Sequence, residues 1–127
     1  MRAFLPVIFV GLGGMVGSMA RFGLGGLVQG NRSGFPYGTL VVNVLGCLIM
    51  GLLARWIEVG IARPELRYLL GLGFLGGFTT FSTFSFEALR LFLDHNPTGS
   101  LLYIILSVGG CLAAVTVSYL IARAIWA

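Results

Sequence analysis

Residues 76–87 read GGFTTFSTFSFE. Hydroxyl side chains at Thr79, Thr80, Ser82, Thr83 and Ser85 alternate here with Phe78, Phe81 and Phe84. Each hydroxyl can donate a hydrogen bond, and the edge of a phenyl ring carries partial positive charge. Together they offer a small anion two substitutes for water. Phe81 and Phe84 stand three residues apart and share a face if the segment is helical. Other polar residues are scattered through apolar surroundings. Asn43 lies within TLVVNVLGC, and Tyr103, Ser107 and Cys111 recur every four residues, with Ser118 roughly on the same face. Arg21 and Glu87 are ionisable and fall in or near apolar runs. For each of these a purely structural role is also open: helix-to-helix hydrogen bonding for Asn43 and the hydroxyls, lipid or core packing for the phenylalanines, and anchoring or snorkelling for Arg21.

Catalysis finds no comparable set. His95 is the single histidine and sits in DHNPTGS, the most polar stretch of the chain. No carboxylate pair, nucleophile–base set or metal-ligand cluster can be assembled in the apolar segments. Gly71, Gly73 and Gly76 fit the spacing of a dinucleotide fingerprint, but neither a strand nor a βαβ unit surrounds them. Cys47 and Cys111 both lie in apolar runs, where cysteine usually acts as a small hydrophobe.

The elements that must position these residues follow from composition. Hydrophobic residues make up 57% of the 127 and charged residues only 9%. A soluble domain carries about 25% charge, so this chain cannot cover itself with a polar surface, and lipid is its natural solvent. Four segments have the roughly 20 apolar residues a spanning helix needs: about 4–28, 37–57, 67–93 and 101–125, in one domain. The expected fold is therefore all-α, with four transmembrane helices and both termini on one side. An alternative reading of the first segment is a cleaved leader, with Arg2 ahead of an apolar run and Ser18-Met19-Ala20 as the cleavage site; the glycine-rich apolar pattern continues past Ala20, which favours a span. All eight basic residues are arginine. Arg2, Arg55, Arg63, Arg67 and Arg123 fall on the side of the termini, and Arg32 and Arg90 on the other, with Arg21 deeper. That bias leans only weakly toward cytoplasmic termini. The arginines form no basic run, so nucleic-acid binding is not expected.

Near the middle of the third span, glycines at 71, 73, 76 and 77 precede the hydroxyl cluster. Two architectures fit. The helix breaks around Gly76–Thr80 and frees backbone groups that can bind ions, or it continues and packs closely through Gly73 and Gly77.

The block at 76–87, with GTLVVNVLG at 38–46 and GLGGMVGSMARFG at 11–23, resembles the Fluc/CrcB family of fluoride channels. The resemblance covers nearly the whole chain in length, span count and motif order. It implies a third helix broken near its middle and an antiparallel, dual-topology homodimer in the cell (inner) membrane, with fluoride leaving the cytoplasm passively through two pores along the dimer interface. Carried over by position, Phe81 and Phe84 match the family's pore phenylalanines and Asn43 its pore asparagine. Ser82, Thr83, Tyr103 and Ser107 match further pore positions, while Glu87 and Arg21 match residues beside the path. The resemblance also implies a structural sodium ion at the dimer centre, held by the backbone carbonyls of Gly76 and Thr79. Cys111 departs from the pattern, standing where the family often has a hydroxyl.

Overall fold

The computed structural model describes residues 4–126; Arg2, counted in the charge bias, lies outside them. Four helical spans are long and apolar enough to cross a membrane: Leu5–Gln29, Tyr37–Glu58, Pro64–Leu93 and Pro97–Ile125. Among the described residues the secondary structure is entirely helical.

Local chemistry sets the ends. Pro6 sits in the opening turn of the first span, where a missing N–H costs nothing. Gly30 ends that helix with φ at 52°, a conformation that suits glycine. The link to the second span folds around Gln29, whose amide donates to the carbonyls of Arg32 and Phe35 and accepts from the Gly38 N–H. The fourth span starts at Pro97, earlier than the apolar run suggests, because Asn96 caps it by accepting from the Gly99 N–H at 2.9 Å.

The third span is composite. A turn at Pro64–Leu66 leads into a π-helix at Arg67–Leu75 and a short turn at Gly76–Phe78. Thr79 (φ −86°, ψ 157°) and Thr80 (φ −149°, ψ 117°) are extended, and an α-helix resumes at Phe81–Leu93.

The closest pairings are the first span with the third and the second with the fourth. Glycine makes the first pairing possible. A side chain at Gly13 or Gly17 would strike the backbone of Leu69 or Phe74, and one at Gly73 or Gly77 would meet the backbone of Val10 or Gly14. The small-residue packing considered for Gly73 and Gly77 thus exists, within one chain, beside the extended pair. The buried apolar cluster, Phe84, Ala88, Leu91 and Tyr103 with Phe35 and Leu40 against it, joins the C-terminal half of the third span to the fourth. Most other large apolar side chains point outward, as expected where lipid or another apolar surface replaces water.

Candidate functional site

The extended pair Thr79–Thr80 reroutes the backbone hydrogen bonds of the third span. In a continuous helix the Thr80 N–H would go to the Gly76 carbonyl; it goes instead to Asn43 Oδ1 at 2.8 Å. Asn43 Nδ2 donates back to the Thr80 carbonyl at 3.0 Å. The Thr83 N–H, due to the Thr79 carbonyl, goes to Thr80 Oγ1 at 3.2 Å, and this hydroxyl caps the resuming helix. The carbonyls of Gly76 and Thr79 thereby lose their helical donors. The Gly77 carbonyl is taken by Arg21 Nε at 3.1 Å and Ser18 Oγ at 3.5 Å, so the guanidinium meets the negative end of the helical segment before the break. On the other side, the first turn of Phe81–Leu93 presents N–H groups and the positive end of its dipole.

Two cavities flank the break. One of about 290 Å³ is lined by Asn43, Cys47, Thr79, Thr80, Phe81, Phe84, Ser107 and Cys111, among others. It therefore gathers Asn43, Phe81, Phe84 and Ser107, the residues picked out on three separate spans. Phe81 and Phe84 lie with ring centroids 5.4 Å apart, but Phe84 is 8% exposed and Phe81 76%. Ser107 is buried; its Oγ is sealed from solvent and makes no hydrogen bond of good geometry among the described residues, although the Tyr103 hydroxyl lies near it. Asn43 retains a second Nδ2 hydrogen beyond the one given to Thr80. A dehydrated anion in this cavity would find the spare Nδ2 hydrogen of Asn43, ring edges and a helix N-terminus, and no side-chain carboxylate.

The second cavity, about 570 Å³, is lined by Arg21, Gly38, Thr39, Thr80, Thr83, Glu87, Arg90 and Asp94, among others. Thr80 lines both. Glu87 accepts from Thr39 Oγ1 at 2.9 Å and from Tyr103 Oη at 2.7 Å, and so ties the second, third and fourth spans together. Thr83 and Glu87 belong to this larger, charged cavity. Tyr103 is fully buried, its ring edge-on to Phe35 and tilted against Phe84. Ser82 is exposed on the outer face, its Oγ 3.3 Å from Thr80 Oγ1. The structure thus does not gather all the hydroxyls into one row.

Sequence reasoning passed over Thr39 and Cys47 as site residues, and counted Thr80 in the hydroxyl cluster and at the break without giving it a role of its own. Thr80 carried a signal, a threonine three residues ahead of the residue it caps. Thr39 and Cys47 carried none, because their significance depends on partners far away in the chain.

The family described as "CrcB-like protein, Camphor Resistance (CrcB)" matches residues 8–119. A protein of Nitratidesulfovibrio vulgaris named fluoride-specific ion channel FluC is 49% identical over 106 residues, 82% of each chain. Proteins of the same name are 43% identical in Rhizobium johnstonii, over 95% of this chain and 98% of that one, and 39% identical in Ruminiclostridium cellulolyticum, over 98% of each.

Proposed function

The chain belongs to the CrcB family, and on that premise we propose that it is a fluoride channel rather than an enzyme, conducting the ion passively across the cell membrane. The observation that carries this reading at the level of chemistry is the cavity beside the break, where Asn43, with one Nδ2 hydrogen unspent, meets Phe81, Phe84 and Ser107. Fluoride is small and strongly hydrated. Stripping it of water in a dry interior is very costly unless donors replace the lost shell. Ser107 Oγ, the free Nδ2 hydrogen of Asn43, the ring edges of Phe81 and Phe84 and the amides after the break supply that shell in sequence. Pore width and donor number then set selectivity. The charged cavity at Arg21, Thr83, Glu87 and Arg90 serves as the approach, with Thr80 at the divide. Ser82 and Tyr103 act at the margin, Tyr103 by holding Glu87.

The working unit we propose is an antiparallel homodimer. Gly76, Phe81, Ser82 and Ser85 are exposed on the surface of the third span. The two serine hydroxyls are bonded to the Phe81 carbonyl and Thr80, but in a lone chain the Gly76 carbonyl, without its helical donor, would face lipid at mid-membrane depth at a cost of several kcal/mol. A second copy covering this face removes the cost and closes the smaller cavity into a path.

Gly76 and Thr79 fit a structural sodium ion, because their carbonyls have given up their helical donors. Two copies would offer four such oxygens, and the ion would neutralise carbonyl dipoles that otherwise oppose one another.

The test is fluoride efflux from liposomes holding the purified protein, with chloride as the control. Efflux of fluoride far above chloride is expected; equal rates, or none, would overturn the reading. A small multidrug-type transporter, the nearest rival by size, works through a carboxylate in its first span, and residues 4–29 contain no Asp or Glu.

A further inference from the structure

We propose that Cys47 and Cys111 form a two-thiol site in the wall of the smaller cavity that takes a soft, two-coordinate metal cation such as mercuric ion, and that a metal seated there closes the cavity to anions. The second half rests on the channel reading above; the first does not. Both cysteines are free thiols, partly buried, and both line the cavity with Asn43, Phe84 and Ser107. The cavity brings both side chains to one wall. Packing of the second and fourth spans explains why. A Cβ at Gly110 would stand 3.3 Å from Val44, and Gly51 abuts Val115 and Ser118. The two spans therefore run side by side in one direction, and Cys47 and Cys111, between those contacts, fall at the same level.

The chemistry of the wall selects the ligand. A structural zinc site needs four ligands, and among the described residues no group of three or more His, Cys, Asp or Glu side chains gathers anywhere. Thiolates favour soft metals, and the remaining lining groups, amide, hydroxyl and phenyl, do not compete for them. Charge decides between monovalent and divalent ions. Two thiols release two protons to water, two sulfur–metal bonds form, and a divalent ion ends in a neutral complex with no change of oxidation state. A monovalent ion between two thiolates would leave a net negative charge in an apolar cavity, which is costly. The complex sits in the same cavity wall, one helical turn beyond Asn43 and Ser107, and narrows the space open to the anion there.

The experiment adds mercuric chloride to the purified protein and reads bound metal by native mass spectrometry and free thiols by maleimide labelling. One mercury per chain with both thiols lost is expected, and Cys47→Ser or Cys111→Ser should each weaken binding by about tenfold or more. Two mercuries per chain, or undiminished binding in either variant, would overturn the site. If a serine variant fails to fold, the stoichiometry and thiol count of the unsubstituted protein decide alone. In liposomes, mercuric chloride should block fluoride efflux, dithiothreitol should restore it, and each serine variant, measured against its own metal-free efflux, should need about tenfold more metal. Binding of the metal with efflux unchanged would overturn the closing role. A protein that passes no fluoride even without metal would refute the channel reading, while the mass and thiol measurements still decide the site.

Discussion

Ser107 is the residue whose cost is easiest to see and whose benefit lies outside the chain. A buried hydroxyl without a partner destabilises a fold by roughly 1–3 kcal/mol, and its Oγ makes no hydrogen bond of good geometry among the described residues. Ser107→Ala should therefore leave the thermal stability of the purified protein unchanged or raised, and cut fluoride efflux by about tenfold. Lower stability with unchanged efflux would make Ser107 a packing residue. The two phenylalanines can be separated the same way. Phe84 is buried against Tyr103, whereas Phe81 projects from the chain. Ile in place of either ring keeps apolar bulk and removes the quadrupole. Phe84→Ile should cost about 1 kcal/mol of chain stability and Phe81→Ile almost none, yet both should lower efflux strongly. Wild-type efflux from both would take the rings off the ion path. Asn43 was legible as an out-of-place polar residue, but its bond to Thr80 was not. The partners stand 37 positions apart, and neither local propensity nor spacing connects them.

At the level of elements, the four spans were plain because a long apolar run can do little else than cross a membrane. Their internal form was not. The π-helix at Arg67–Leu75 has no composition that marks it, and the early start of the fourth span depends on one Asn96 cap in a polar stretch. The glycines of the third span do two different jobs, and the structure tells them apart. Gly77 is pressed against the backbone of Gly14, while a side chain at Gly76 would meet open space in the single chain. Gly77→Ala should thus destabilise the fold by about 1–3 kcal/mol through overpacking. Gly76→Ala should be harmless to the isolated chain, even favourable by roughly 0.5–1 kcal/mol. If Gly76 lies at the dimer centre, Gly76→Ala should instead shift the protein toward monomer, read by single-molecule photobleaching in liposomes at low protein density. An unchanged dimer fraction would move the interface elsewhere and remove the sodium proposal with it.

For the whole molecule, the proposed antiparallel dimer requires one sequence to enter the membrane both ways. Orientation follows the arginine bias between the two sides. Excluding Arg2, the described residues place Arg55, Arg63 and Arg67 in or beside the second link and Arg123 near the C-terminal end, against Arg32 and Arg90 at the opposite ends of the spans. A chain so weakly biased should be tipped by two or three charges. Asn31→Arg with Ser33→Arg, both on exposed positions of the first link, should drive the termini to the far side. Arginines introduced in place of Glu58 and Glu65, on the opposite side, should drive the termini inward. If antiparallel pairing creates the path, each set alone should give protein in one orientation and no fluoride efflux from cells, and co-expression of the two should restore it. Orientation is read from protease-sensitive tags at the C-terminus. An active single-orientation variant would mean that parallel chains, or one chain, suffice, and the exposed hydroxyl face of the third span would need another cover.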